Sequence, residues 1–149
     1  MSGKIIHGAG GIVVRRGRRP LIAVVRRSKD RLWVLPRGKL KRNERPVSGA
    51  KREVTEETGH RVEVHDYLGA IAYQSGQLEK VVRFWRMQAA RRQSHAVAND
   101  ISEVRWLPLA AAIRRLSYPL EKVFLTDIGR HVLARGKHSR RSRAGARNA

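Results

Sequence analysis

GKLKRNERPVSGAKREVTEETGH, residues Gly38 to His60, is the stretch on which the reading of this chain turns. Its centre, Arg52-Glu53-Val54-Thr55-Glu56-Glu57, puts three carboxylates and a guanidinium into little more than one helical turn. On a helix, Glu53, Glu56 and Glu57 stand at i, i+3 and i+4 and point the same way. Val47, Ala50, Val54 and Thr58 form an adjacent stripe able to face a core. Pro46 suits the first helical position, and Gly59 suits a left-handed stop. Left to itself, this helix is poorly designed. Like charges three and four apart repel, and Glu56 and Glu57 lie in the last turn, where the helix dipole is already negative. Two penalties at one place imply that a positive partner sits there. Hard carboxylate oxygens suit Mg²⁺, with Mn²⁺ as a substitute.

Outward from this stretch, the chain supplies a setting for it. At 149 residues it is one domain's worth of sequence, long enough for a core without staples. It has no cysteine, which excludes disulfides and thiolate metal sites and agrees with an intracellular, cytoplasmic setting. No apolar run approaches a membrane span, and the N-terminal apolar stretch is too short and too interrupted by arginine for a signal peptide. The formal net charge of +21 favours polyanionic partners. These include phosphorylated small molecules, nucleic acid and anionic surfaces, and charge alone does not choose among them.

Upstream, Lys4 to Arg16 and Leu21 to Arg27 read as strands of a hairpin across Gly17-Arg18-Arg19-Pro20. The Gly8-Ala9-Gly10-Gly11 cluster lacks the spacing of a phosphate loop, so a bulge or close backbone approach is expected there. Leu32 to Leu35 is a short strand stopped by Pro36, and Arg37 to Arg45 reads as a loop. Downstream, Arg61 to Gln74 gives one long or two short strands around Gly69. Leu78 to Ala90 gives another, and Glu103 to Leu107 a short one. Two amphipathic helices follow, the first through Leu109, Ile113 and Leu116, the second through Leu120, Val123, Phe124, Leu125, Ile128 and Val132. This order predicts one α/β domain over 1–134: a central mixed sheet, the carboxylate helix on one side and the C-terminal helices opposite. Residues 135–149, basic and without hydrophobic period, read as a disordered tail.

Gly38, Glu44, Arg52, Glu53, Val54, Glu56, Glu57 and Gly59 match the Nudix box, Gly-x5-Glu-x7-Arg-Glu-U-x-Glu-Glu-x-Gly-U, where U is bulky and aliphatic. At ~7% abundance per fixed residue, a chance match is on the order of one in 10⁸ per start position. His60 departs from the pattern at the final U, beyond the helix stop. Trp33-Val34-Leu35-Pro36-Arg37-Gly38-Lys39, Lys80 to Trp85 and Glu103 to Pro108 resemble the flanking segments of bacterial MutT-type and diadenosine-polyphosphate hydrolases. The resemblance covers roughly residues 5 to 130 and implies an α/β/α sandwich.

The resemblance implies Mg²⁺-dependent hydrolysis of a phosphoanhydride in a nucleoside polyphosphate, either a diadenosine polyphosphate or an oxidised nucleoside triphosphate. It implies Glu53, Glu56 and Glu57 as metal ligands, with the Gly38 carbonyl as a further one, and Arg52 as the partner of a box carboxylate, foremost Glu53. The general base is open among Glu57, Glu56 and, outside the box, Glu103. Arg37, Lys39 and Arg83 are placed to meet phosphates. Gly49, one turn before Glu53, is expected to leave room for metal or phosphate.

Bland readings compete at several positions. Without Gly38, Arg52 and Gly59 in register, the glutamates would be a solvated acidic face; with them, catalysis is the better reading. Most aromatics belong in the core, with Tyr73 and Tyr118 the candidates for stacking on a base. His60, His65 and His95 lack metal-ligand spacing and read as surface or strand residues. The basic tail has no interleaved aromatics, so nucleic-acid binding through it is not favoured. Hydrolysis of inositol pyrophosphates and a non-catalytic nucleotide- or RNA-binding role are the alternatives, and a homodimer is compatible with the resemblance.

Overall fold

A computed structural model describes the backbone of residues 4–148 and side chains through Ala134. The expected disordered tail, 135–149, lies outside the residues described to side-chain level. Seven strands and three helices follow in the order β1 (Ile5–Arg15), β2 (Leu21–Arg27), β3 (Trp33–Val34), β4 (Arg37–Lys39), α1 (Pro46–Thr58), β5 (Val62–Ser75), β6 (Leu78–Ala89), β7 (Ile101–Leu107), α2 (Leu109–Arg115) and α3 (Pro119–Asn148). Among the described residues, no helix is long and apolar enough to cross a membrane.

The strands form one mixed sheet with the central order β3-β2-β1-β6-β5. β1 runs parallel to β6 over ten residue pairs, from Ile5 opposite Glu79 to Val14 opposite Gln88. On its other side β1 changes partner. Val14 and Arg15 pair with Ile22 and Leu21 of β2, while Gly8 to Gly10 pair with Lys39 to Arg37 of β4. β2 continues away from β1, flanked by β3 and β7. The divergence leaves a gap that β3, Pro36 and β4 fill.

The glycine cluster of β1 makes this possible. A methyl group at Gly10 would overlap the Pro36 carbonyl, and one at Gly8 would come within 2.8 Å of the Gly38 carbonyl. This is the close backbone approach expected from the sequence. The expected loop at 37–45, by contrast, opens with a strand. Three residues, one of them glycine, carry no readable alternation, and β4 is defined by its ladder with β1.

Both sheet faces are covered, because successive side chains of β1 point to opposite sides. Ala9 and Val13 meet Ala50 and Val54 of α1 along with Met87. Ile12 and Val14 meet Phe84, Ala112 of α2, Leu116 just after it, and Leu125 and Val132 of α3. The carboxylate helix and the C-terminal helices thus lie on opposite faces, as the element order predicts. α1 starts at Pro46 and ends at Gly59, whose φ of 75° is the left-handed stop and whose N–H donates to Thr55. His60 is not a surface residue. It is buried after this stop, its ring edge-on to Trp106 and its Nδ1 2.8 Å from the Ala90 carbonyl. β5 is one long strand with register shifts on either side of Tyr67, and Gly69 carries a φ of 139°.

Candidate active site

A cavity of about 740 Å³ opens where β4 and α1 meet the ends of β1 and β6. Its lining includes the carboxylates Glu53, Glu57 and Asp100, the cations Arg27, Lys29, Arg37, Lys39 and Lys80, and the apolar Ile6 and Val82. A second cavity of about 450 Å³ shares Arg27, Lys29, Arg37 and Lys80 and adds Asp30, Tyr73 and Tyr118.

The helix aims two of its three carboxylates into the larger cavity. Glu57 is buried, and its Oε1 accepts the backbone N–H of Arg37 at 3.1 Å. Burial pushes its carboxyl up to about 8; the Arg37 N–H opposes this, and the neighbouring charges of Glu53 and Asp100 add to it. Glu53 is also raised, first by burial and then by Glu56 and Asp100, against the pull of Arg52. Gly38 presses on Glu53 so closely that a methyl group there would overlap its carboxylate. Glu56 does not line the cavity. Half exposed, it lies 3.3 Å from Nη1 of Arg52.

Arg52 is the hub of the surrounding network. It pairs with Glu53 at 2.9 Å, as expected. Its other edge is held by Glu44, with Nε at 2.7 Å from Oε2 and Nη2 at 2.9 Å from Oε1. Glu44 also accepts the N–H of Lys41, so the loop before the helix is folded back over it. This corrects the expectation for Gly49. A side chain at Gly49 would meet Leu40 and Glu44, so the glycine makes room for the loop, not for metal or phosphate.

Three other expected residues find different surroundings. Glu103 lies on β7 opposite Arg26, paired with Arg105 at 2.6 Å and Arg26 at 3.8 Å; it does not reach the cavity. The carboxylate that does reach it from this segment is Asp100, just before β7. Arg83 falls between Val82 and Phe84 of the α3-side core, so it points to the α1 face, where Nη1 lies 3.3 Å from His7. The cation that β6 delivers to the cavity is Lys80. The pKa of its ammonium is lowered, first by burial and then by the charges of Arg37, Lys29, Arg27 and Lys39 around it. Tyr73 is not a free stacking platform, because its hydroxyl donates to Glu121 at 2.6 Å and its ring lies edge-on to Tyr118.

Glu121 escaped the sequence reading altogether. Fully buried, it accepts from the Leu35 N–H at 3.0 Å, from Arg37 Nε at 2.9 Å and from Tyr73. Burial disfavours the charge of Arg37, but Glu121 and the tyrosines outweigh it and leave the guanidinium more firmly charged than usual. A signal existed: Glu121 stands on the apolar stripe of α3 with Leu125, Ile128 and Val132, where a carboxylate requires a buried partner.

Among the described residues, no three His, Asp or Glu side chains converge tightly enough to cage a metal by themselves. Mg²⁺ keeps several waters and binds through one or two carboxylates plus substrate phosphates. The donor set of hard oxygens on Glu53 and Glu57, both with raised pKa values, and the cradle that Gly38 leaves for Glu53 fit such an ion.

Comparison with known proteins agrees with this architecture. The profile of the NUDIX domain matches residues 6–127. An 8-oxo-(d)GTP phosphatase of Mycolicibacterium smegmatis is 33% identical over 104 residues, 70% of this chain and 32% of that protein. A putative mutator protein MutT4 of Mycobacterium tuberculosis is 33% identical over 106 residues, 68% of this chain and 43% of its own length. The chain therefore spans less than half the length of these relatives. Among solved structures, an Ap4A hydrolase of C. elegans in a binary complex superposes with a TM-score of 0.77 at 18% identity, covering 85% of this chain and 97% of that one. A MutT protein of Methanosarcina mazei gives 0.74 at 19%, over 88% and 97%. At such identities the likeness speaks of fold alone. With the domain profile spanning most of the sequence and the box seated on α1 beside its cavity, the chain belongs to the Nudix family.

Proposed function

We propose that the chain is a divalent-metal-dependent pyrophosphohydrolase that cleaves a phosphoanhydride bond of a nucleoside polyphosphate. The observation that carries this reading is one cavity lined by both Glu53 and Glu57 and five cations. A polyphosphate needs both: cations for its oxygens and carboxylates for the metal that would accompany it. Diadenosine polyphosphates and oxidised purine triphosphates are the substrates to test first. The names of the relatives, an 8-oxo-(d)GTP phosphatase and an Ap4A hydrolase, motivate that choice.

In this reading Glu53 and Glu57, with the Gly38 carbonyl, hold Mg²⁺ or Mn²⁺. The ion would screen the phosphates and lower the pKa of the attacking water. Arg52 holds the Glu53 carboxylate in one orientation, with Glu44 clamping the opposite edge of its guanidinium. Lys39 and Lys80 neutralise phosphate oxygens. Glu57 takes the proton from water as phosphorus is attacked. Its Oε1 accepts the Arg37 amide, which leaves the second lone pair of Oε1 and both of Oε2 to be shared between metal and water. Asp100 replaces Glu103 as the acceptor from outside the helix, and Glu56, which does not line the cavity, is left out of this set.

The test is a hydrolysis panel with Mg²⁺, in which products from diadenosine polyphosphates, 8-oxo-purine triphosphates and ordinary triphosphates are identified for wild type and Glu57→Gln. Release of nucleotide products by wild type and not by the variant supports the reading. Equal release by both, or none by either, refutes it.

A further inference from the structure

The proposed reaction uses the acidic box and the cations around it, and leaves unexplained a buried carboxylate on α3. Glu121 is fully shielded from water and sits in the first turn of α3. All three of its donors come from segments that frame the cavities: Leu35 just before β4, Arg37 in β4 and Tyr73 near the end of β5. A carboxylate so placed is not needed for packing. Burying it together with a guanidinium contributes less than an apolar pair of the same shape would.

What the pair does is visible at Arg37. Its Nε is held by Glu121, its guanidinium lies 4.7 Å from the ring centroid of Tyr73 and 5.7 Å from that of Tyr118, and its own backbone N–H is given to Glu57. Arg37 lines both cavities. Among the described residues, no second carboxylate pairs with the outer edge of its fork. Anchored through Nε and lying over the Tyr73 and Tyr118 rings, the guanidinium is restricted in orientation where the two cavities that it lines come together. A lysine there would be a swivelling point charge; an arginine tethered at Nε is a fixed fork.

We propose that Glu121 is a positioning residue that touches no substrate and aims Arg37 at a phosphate group where the two cavities join, thereby setting affinity for the polyphosphate chain. This rests on the reading of the larger cavity as a polyphosphate site, but not on turnover. Pre-orienting a charged side chain acts on binding, because the ordering of that side chain has been completed before the ligand arrives.

The probe is inorganic tripolyphosphate, with binding measured by calorimetry on the full chain in the presence of Mg²⁺. Glu121→Gln keeps the acceptor for Leu35 and replaces the acceptor for Arg37 by an amide or leaves it weakened. Arg37→Lys keeps the charge and removes the Nε tether. Each is expected to weaken tripolyphosphate binding by about tenfold, the scale of one charged contact, and the double variant to lose no more than either single one. A merely structural role would lower the melting temperature and the bound fraction while leaving the affinity of the folded protein unchanged. The proposal is overturned if folded Glu121→Gln binds as tightly as wild type, if the two losses multiply, or if wild type does not bind the probe. Should Glu121→Gln fail to fold, Arg37→Lys decides: unchanged affinity overturns the proposal and a tenfold loss upholds it. Failure of the hydrolysis panel with tripolyphosphate binding intact would refute the proposed activity and leave this inference standing.

Discussion

Glu44 grips Arg52 with both carboxylate oxygens, at 2.7 and 2.9 Å, across eight residues of sequence. The pair closes the loop before α1 onto the helix and leaves the remaining Nη of Arg52 for Glu53. Glu44→Gln is therefore expected to destabilise the fold by about 1–2 kcal/mol, since the pair is charged and two-pronged but partly open to solvent. Arg52, with its N–H groups on Glu44, holds that carboxyl down to about 2 against its ordinary 4.5. A lowered pKa contributes stability that is present above 4.5 and lost as pH falls through 2. The gap between wild type and variant in urea denaturation should be full at pH 7 and shrink towards pH 2. A gap constant over that range would refute the role given to the pair.

A single methyl group tests the Gly38 cradle. Gly38→Ala places that group in the Glu53 carboxylate, so Glu53 must turn away. We expect kcat/KM to fall by about 100-fold, as displacement of a reacting group by roughly an ångström does, with circular dichroism little changed. Activity within threefold of wild type would mean that Glu53 has no fixed place in the reaction.

Asp100 and Glu103 are three residues apart and make opposite predictions. Asp100→Asn removes a charge from the cavity wall and should lower kcat by about 10²-fold if it takes part in proton transfer. Glu103→Gln breaks surface pairs with Arg26 and Arg105 and should stay within about twofold, as surface pairs do. The reverse ranking would return the role to β7.

As the proposed metal ligand, Glu57 would bind metal and proton in competition. Its folded pKa of about 8 lies above the ordinary 4.5, so in the metal-free protein its contribution to stability is present below 4.5 and lost as pH rises through 8. A divalent ion needs the ionised form and reverses that loss. Thermal stabilisation by saturating Mg²⁺ should therefore grow from pH 6 to pH 9, and Glu57→Gln should flatten the rise. Equal stabilisation at both pH values in wild type would count against Glu57 as a ligand.

Much of this was legible beforehand, and for definite reasons. Pro46 and Gly59 bracket α1 because one suits a first turn and the other a left-handed stop. The alternation along β1 and β6 comes from the pleat. Alternation also holds the information that was misread: Phe84 is a core residue, so its neighbour Arg83 had to face the opposite side from Val82 and Lys80. Asp100 could not be preferred to Glu103 from residue type, because the choice depends on how β7 registers against β2. Glu121 was hidden by distance. Its three donors lie 48 to 86 residues away in sequence, and only packing of α3 on the sheet joins them.

The change of partner along β1 has a mechanical consequence. Pulling two strands of a sheet apart ordinarily strips a row of amides and carbonyls of their bonds. Here the ladder passes from β2 to β4 as the gap opens, and Gly11 N–H to Pro36 and Leu40 N–H to His7, at 3.1 and 3.0 Å, carry it across. The part of the cavity lining formed by Gly8 and by Arg37 to Lys39 is therefore sheet. The amides of Gly11 and Leu40 that border it should exchange hydrogen as slowly as those of mid-strand, and this part of the lining should keep its shape when a ligand enters.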